Sequence, residues 1–151
     1  MHAFPLVSPG NPWKLRLAAA DVLGVAGAEW AVPQLLELLS ESVHLHERTG
    51  VWEIGRVLST VGSPKAIPAM IALIEAENTY DTVYGLGYFA LGKMTGVQYD
   101  EKHDGAWWRQ WWENNKERFP AEVQAMEIPR LTRIASRQAA ATAAQDATPQ
   151  K

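Results

Sequence analysis

The sequence predicts an all-α protein, built as a short α-solenoid of paired helices. Apolar residues recur at three- and four-residue spacing along most of the chain, which indicates amphipathic helices. Glycines end several of these apolar runs, and the succession of helix, break and helix repeats about every 35 residues. Repeated helical pairs bury their apolar faces by stacking on their neighbours, and this stacking generates a solenoid.

The clearest helical hairpin lies at residues 47–75. Gly62 is expected to end its first helix, because glycine adopts the left-handed conformation of a helix C-cap without steric cost. Ser63 and Pro64 then start the second helix as N-cap and first-turn proline. The apolar stripes are Val51, Ile54, Val57, Leu58 and Val61 in the first helix and Ile67, Met70, Ile71 and Ile74 in the second.

A similar hairpin precedes it, with Gly27 placed 35 residues before Gly62. Its first helix is expected to begin with Asn11 as N-cap and Pro12 in the first turn, and to run to about Val25. The expected inward-facing residues are Leu15, Ala18, Ala19, Val22 and Leu23 in the first helix and Val32, Leu35, Leu36 and Leu39 in the second.

The first of these stretches carries the pattern AxxxLGxxG, followed by a short break and AVPxLLxLL, at residues 19–39. The pattern resembles HEAT-like repeats, in particular the short bacterial type also found in phycobilin lyase subunits. The resemblance covers roughly residues 13–96 and implies an α-solenoid. It implies little about function, because the matching positions are core and cap positions.

A third copy of the hairpin begins near residue 79 and then departs from the pattern. Asn78, Thr79 or Asp81 is expected to cap its first helix, which contains Gly85 and Gly87. Each glycine costs a helix about 1 kcal/mol relative to alanine, so we expect compensation through close approach of a neighbouring helix or bulky side chain. A phosphate-binding Gly-x-Gly loop is the alternative, but no strand precedes it.

A tryptophan-rich segment takes the place of the second helix in this third copy. Asp104 is expected to N-cap a helix at about residues 106–116, which carries four of the seven tryptophans of the chain. The segment resembles the capping helix that seals the last repeat of bacterial HEAT-like proteins. A solenoid needs such a cap, because an open end would expose its core. The expected arrangement places Trp107 and Trp111 in the core and leaves Trp108 or Trp112 partly exposed.

The chain therefore divides into three parts. Residues 1–12 are expected to form an extended lead-in, residues 13–119 the solenoid with its capping helix, and residues 120–151 a helical or disordered tail with little to bury. Before the solenoid, Phe4, Leu6 and Val7 could cover its open end. After it, Val123 and Met126 could share a short helix. The stripe of Arg130, Arg133 and Arg137 is either a solvated face or a surface that docks on an acidic partner, RNA or a membrane.

Composition narrows the possible functions. Fourteen basic and seventeen acidic residues give a formal charge of −3, which argues against a dedicated nucleic-acid binder. The absence of cysteine excludes disulfides, thiolate metal sites and a cysteine nucleophile. No apolar run reaches the length of a membrane span, and the first residues lack the pattern of a secretory signal, so a cytoplasmic protein is expected.

Two polar clusters are weak candidates for chemistry. His44, His46 and Glu47 offer metal-ligand types, and His46-Glu47 resembles one of the His-Glu pairs with which a HEAT-like hydroxylase family holds two irons. A second His-Glu pair does not occur in this sequence, so a solvated connector is favoured and no metal is expected. In the second cluster, Asp100, His103 and Asp104 could supply a general base, but no nucleophile is placed by a recognisable motif, and neither an enzyme nor a cofactor is expected.

Aromatic residues provide the leading functional hypothesis. Tryptophan and tyrosine dominate protein-binding hot spots, so another protein is the expected partner. The predicted function is a non-enzymatic interaction module, scaffold or accessory subunit that works within a larger complex or as an oligomer. One alternative is a phycobilin-lyase-like subunit that holds a tetrapyrrole in a pocket lined by Trp52, Tyr84 and Tyr88. The other alternative is nucleic-acid binding. The expected partner-binding residues are Trp52, Tyr84, Tyr88, Trp108 and Trp112, with Tyr80 in the same aromatic group.

Charged residues also recur at matching repeat positions. Asp21 and Arg56 are 35 residues apart, and Lys93 falls close to the corresponding position of the third copy. The three side chains are expected either to form a ladder of charges between stacked helices or to be independently solvated.

Overall fold

A computed structural model of the chain describes residues 12–131, and these residues form helices and connecting segments without any strand. This confirms the all-α class. Short 3₁₀ turns precede two of the helices, at Glu29–Ala31 and Pro64–Ala66. The α-helices are α1 (Trp13–Val25), α2 (Val32–His44), α3 (Arg48–Val61), α4 (Ile67–Ala76), α5 (Tyr80–Leu86), α6 (Gly92–Thr95), α7 (Gly105–Asn115) and α8 (Ala121–Gln124).

Glycines end the first helices of the repeats, as the sequence predicts. Gly27, Gly62 and Gly96 follow α1, α3 and α6 with φ values of 64°, 76° and 81°, in the left-handed region where a side chain would be strained. Ser63 precedes the second helix as expected, but its side chain does not cap it. The Ser63 hydroxyl instead bonds to Glu29 of the preceding hairpin, with Oγ 2.9 Å from Oε2, and so links consecutive repeats.

The expected inward face of α1 is partly wrong. Leu15 and Val22 are 39% and 59% exposed, whereas Ala20 and Gly24 are buried. Small residues occupy the contact because α1 packs closely on α3, and a Cβ added to Gly24 would lie 3.0 Å from Cγ1 of Val57. Ala18 is also exposed, and Pro12 is the N-cap rather than a first-turn residue. Ala19 and Leu23 are buried as expected.

A charged side chain also lies on the buried face of α1. Arg16 is only 4% exposed, and its guanidinium donates two hydrogen bonds to the Glu41 carboxylate of α2, at 2.7 and 3.0 Å. The hydrogen bonds from Arg16 lower the pKa of Glu41. Charged partners satisfy the buried guanidinium, so this bidentate pair ties the two helices of the first hairpin together.

The second hairpin forms the centre of the core, and its predicted apolar stripes face inward. In α3 and α4 the expected apolar residues are buried, except Val61, which is half-buried. In the first hairpin, α2 buries Val32, Leu35 and Leu39 and leaves Leu36 half-buried. First helices pack side by side (α1, α3 and α5), and second helices pack side by side (α2, α4 and α7), as in a solenoid.

The third copy contains a π-helical segment, Gly87–Leu91, between α5 and α6. Leu91 follows Leu58 by 33 residues, whereas Gly96 follows Gly62 by 34, so the third copy has one extra residue before its glycine. The N–H of Gly92 bonds to the carbonyl of Gly87, five residues earlier, and this wider turn accommodates the extra residue.

The start of the third copy is fixed by Thr79, which confirms one of the three expected caps. The Thr79 hydroxyl accepts a hydrogen bond from the Thr82 N–H, and the Thr82 hydroxyl accepts one from the Thr79 N–H, at 3.4 and 3.1 Å. This reciprocal arrangement satisfies two backbone donors at the beginning of α5.

Helix α7 caps the solenoid, but the expected burial of its tryptophans is reversed. Trp108 and Trp112 are each 1% exposed, whereas Trp107 and Trp111 are half-buried. The inward face is set by Gly105, where an added Cβ would lie 2.6 Å from Cβ of Glu75 on α4, so only glycine permits this approach. Trp108 and Trp112 continue that face at the next two turns.

The expected N-cap of α7 is confirmed, since the Asp104 carboxylate accepts a hydrogen bond from the Trp107 N–H at 2.9 Å. Beyond α7, Val123 is buried in the short α8, whereas Met126 lies after that helix and is 37% exposed. The predictions for Phe4, Leu6 and Val7 and for Arg133 and Arg137 concern residues outside the described range.

Candidate functional site

A partly exposed aromatic surface lies on α3, α5, the π segment and the loop before α7. We call it the tyrosine face, and it comprises Trp52, Tyr80, Tyr84, Tyr88, Phe89 and Tyr99. It brings together three of the expected partner-binding residues, Trp52, Tyr84 and Tyr88. Trp52 is positioned by the glycine opposite it, since a Cβ added to Gly85 would lie 2.6 Å from Nε1 of Trp52. This confirms the expected close approach of a bulky side chain at Gly85. The expectation does not hold at Gly87, where an added Cβ would meet Tyr99 at an ordinary 3.5 Å.

Three tyrosines form a continuous stack along the helix. The ring centroids of Tyr80 and Tyr84 are 5.3 Å apart with planes at 2°, and those of Tyr84 and Tyr88 are 5.3 Å apart with planes at 6°. Four-residue spacing places the rings on successive turns. Because Tyr88 belongs to the π segment, the wider turn is part of the backbone that aligns the third ring.

Other aromatic rings support the stack from its inner side. The ring of Tyr99 lies edge-on to Tyr84 at 5.0 Å, and Trp52 lies edge-on at 5.4 Å. Burial, together with nearby tyrosines and carboxylates, raises the pKa of Tyr99. The two ends of the stack remain open, since Tyr80 is 61% exposed and Tyr88 is 43% exposed. The result is a fixed aromatic surface with solvent-facing edges.

Two cations lie beside the tyrosine face. The Arg48 guanidinium carbon is 5.6 Å from the Trp52 ring centroid, and Nε of Arg48 also bonds to Asp81 at 2.8 Å. Nζ of Lys93 is 5.2 Å from the Tyr88 ring centroid. Both distances fall within the range of cation–π attraction.

Two of the expected partner-binding residues do not contribute to a surface. Trp108 and Trp112 are enclosed by the core, with Trp112 packed on Phe119 at 5.4 Å, so the expectation that one of them is partly exposed is wrong. Sequence reasoning also left Phe89 and Tyr99 out of the surface. The four-residue spacing of the tyrosines is visible in the sequence, but the approach of the loop residue Tyr99 is not.

The metal candidates are distributed around the turn between α2 and α3. His44 is the last residue of α2, His46 follows with φ 56°, and Glu47 is the N-cap of α3. Within residues 12–131 no group of three or more His, Cys, Asp or Glu side chains is arranged to hold a metal ion.

The candidate general base is held by a tryptophan. His103 stacks on Trp107 with centroids 3.6 Å apart, and burial lowers the pKa of His103. Asp100 accepts a hydrogen bond from the Lys102 N–H at 2.8 Å, and Asp104 caps α7. Each member of this cluster therefore has a local structural contact.

The charge ladder is present between the first two repeats. The Arg56 guanidinium bonds to Asp21 of α1, and it also bonds to Glu53 of its own helix, with Nη2 2.5 Å from Oε2. The hydrogen bonds that Arg56 donates to Glu53 and then to Asp21 raise the pKa of Arg56. Lys93 contacts the Tyr88 ring at the corresponding position of the third copy.

None of the helices within residues 12–131 combines the length and apolar character needed to cross a membrane. Comparison with protein families matches residues 15–41 to the family model described as PBS lyase HEAT-like repeat. The matched residues cover most of the first helical hairpin. Neither the curated proteins nor the solved structures compared with this chain include a match. The family match in the first hairpin and the stacked helical pairs support the resemblance of this chain to HEAT-like repeat proteins.

Proposed function

We propose that this protein is a non-enzymatic interaction module that binds another protein through the tyrosine face. The observation that carries the proposal is the open stack of Tyr80, Tyr84 and Tyr88, supported from behind by Trp52. Rings that are already fixed by their neighbours lose little conformational freedom on binding, so more of the buried apolar area contributes to affinity.

HEAT-like repeats are typical of protein-interaction and lyase-like repeat modules. A scaffold or accessory subunit of a larger cytoplasmic complex fits a short solenoid with one such surface. The positions of Arg48 and Lys93 beside the rings favour a partner with acidic or carbonyl groups around an apolar centre.

The second candidate is a tetrapyrrole-holding subunit, favoured by the family description and by the proximity of Trp52, Tyr84 and Tyr88. The tyrosine rings stack on one another, however, so no gap between two rings is open to a flat pigment and mainly ring edges face the solvent. We therefore favour a protein partner.

Affinity capture of the tagged protein from native extract tests the proposal, with mass spectrometry and absorbance spectra of the eluate. A Tyr80→Ser, Tyr88→Ser variant removes the open ends of the stack. A Val25→Ser, Leu45→Ser variant is the matched control, because Val25 and Leu45 are 81% and 53% exposed outside the tyrosine face. The proposal expects one dominant protein with wild type and the control, and its loss from the folded tyrosine variant.

Three results would contradict the proposal. Equal recovery of the protein by the tyrosine variant would exclude the tyrosine face. A visible absorbance band in an eluate without a protein partner would favour the tetrapyrrole candidate. Loss of the partner after nuclease treatment would indicate that nucleic acid mediates the interaction.

A further inference from the structure

The segment after α8 lies along the groove between α2 and α4. We call residues 125–131 the C-terminal strap; from Met126 onward they have no helical structure. Near its start, Met126 lines a cleft of ≈ 530 Å³ with Trp30 of the first hairpin. At its end, Leu131 lines a second cleft, of ≈ 170 Å³, with Leu36 and Leu73. The strap therefore follows the second helices of the first two hairpins.

The strap is held by one apolar side chain and by its backbone. Ile128 is 7% exposed. The carbonyl oxygens of Ile128 and Pro129 accept hydrogen bonds from the Arg109 guanidinium at 3.2 and 3.4 Å. The Arg130 guanidinium then donates to Glu75 of α4, with Nη1 3.0 Å from Oε2. Along the strap, the groove therefore contacts an apolar side chain, then two main-chain carbonyls and then an arginine.

Glu75 and Arg109 also pair directly with each other. Arg109 donates to both Glu75 oxygens, at 2.5 and 2.9 Å, and these hydrogen bonds lower the pKa of Glu75. The carboxylate is therefore ionised at neutral pH and receives Arg130 as a second cation. A bidentate pair of this kind fixes the position of both groups.

The hold on the strap is weak. The Arg130 side chain is 74% exposed, and exposed ion pairs contribute little stability. Met126 and Leu131 are 37% and 39% exposed. Among residues 12–131, the clefts beside Met126 and Leu131 also leave apolar surface uncovered, including Trp30, which is 45% exposed. A longer peptide with the same central chemistry would cover more of the groove than the strap does.

We propose that the groove between α2 and α4 binds an extended peptide of a partner protein, with an isoleucine-like residue followed by proline and arginine. The strap is the intramolecular occupant that this peptide displaces. Glu75 selects the arginine, and Arg109 selects the carbonyls of the extended backbone. This site is separate from the tyrosine face, which is carried by α3, α5, the π segment and the loop before α7.

A fluorescein-labelled peptide with the sequence of residues 125–131, blocked at both ends, tests the proposal by fluorescence anisotropy with the full chain. Arg130→Glu weakens the strap, because a carboxylate then faces Glu75. The peptide should bind the Arg130→Glu chain at least about fivefold more tightly than wild type, since the groove is open for a larger fraction of the time. Lys14→Glu, a charge reversal on the exposed surface of α1, should bind as wild type does.

Two further variants locate the binding. Adding Ala69→Arg to the Arg130→Glu chain fills the groove beside Pro129 and should weaken peptide binding at least about tenfold. A peptide carrying Arg130→Glu should also bind the Arg130→Glu chain about threefold more weakly, because its carboxylate faces Glu75. Equal affinity of wild type and the Arg130→Glu chain, no binding to that chain, or no effect of Ala69→Arg would each overturn the proposal. Circular dichroism establishes that each variant is folded.

Discussion

Gly85 and Trp52 face each other across the contact between α5 and α3. A Cβ at position 85 would lie 2.6 Å from the indole Nε1, so the absence of a side chain on one helix allows the indole of the other. Because Trp52 supports Tyr84 from behind, this single contact couples the packing of two repeats to the surface that we propose binds a partner.

The first prediction concerns this contact. Gly85→Ala should destabilise the protein by about 1–2 kcal/mol, because overpacking against the indole exceeds the gain in helix propensity. Gly87→Ala is the matched control, since its Cβ would lie 3.5 Å from Tyr99, an ordinary contact distance, and it should be neutral or stabilising by up to about 1 kcal/mol. Urea unfolding of both variants measures the difference, and the reverse order would refute the packing assignment.

The second prediction concerns the capping helix. Trp112→Ala should cost about 3–5 kcal/mol, because a fully buried ring leaves a large cavity. Trp111→Ala should cost less than about 2 kcal/mol, since its ring is half-buried. Thermal or urea unfolding of the two variants compares them directly. A larger loss for Trp111→Ala would restore the burial order expected from the sequence.

The third prediction separates the two kinds of ion pair between helices. Arg16→Met should destabilise the protein by about 1.5–3 kcal/mol, because it removes charged hydrogen bonds from a buried site. Arg56→Met should change stability by less than about 1 kcal/mol, since Arg56 and Asp21 are 42% and 47% exposed and are screened by solvent. Denaturant unfolding at low and high salt provides the comparison, and equal effects would show that burial does not set their importance.

The fourth prediction follows from the lowered pKa of Glu75. A carboxyl group whose pKa is lower in the folded state stabilises the protein above its unfolded pKa, and this contribution is lost as the pH falls through the folded pKa. Glu75→Gln should therefore lower the melting temperature at pH 7, and the two proteins should converge as the pH falls below about 4. Melting curves across this range test the sign. A difference that grows in acid would contradict it.

Much of the fold could be predicted from local signals. Gly62 and Asp104 were identifiable because helix ends have residue preferences that depend on neighbouring backbone alone. The inner face of α1 could not be predicted in full. Arg16 resembles a solvent-exposed residue until its partner Glu41, 25 residues away, is known. The burial of Trp108 likewise depends on the close approach of Gly105 to Glu75, a tertiary contact.

The candidate surface was predictable only in part. Tyr80, Tyr84 and Tyr88 share a face by spacing alone, and that spacing is local. The strap was not predictable, because its position depends on Arg109 and Glu75, which lie on two helices brought together by the fold.

Site-specific photo-crosslinking in native cells tests the protein-binding role of the tyrosine face most directly. Benzoylphenylalanine placed at Tyr88 reports what touches the stack, and the same probe at Leu45, which is 53% exposed outside the tyrosine face, is the control. Our account predicts one dominant crosslinked protein from position 88, also obtained from position 80 and absent from position 45. The absence of a crosslink from position 88, or the same product from position 45, would contradict it.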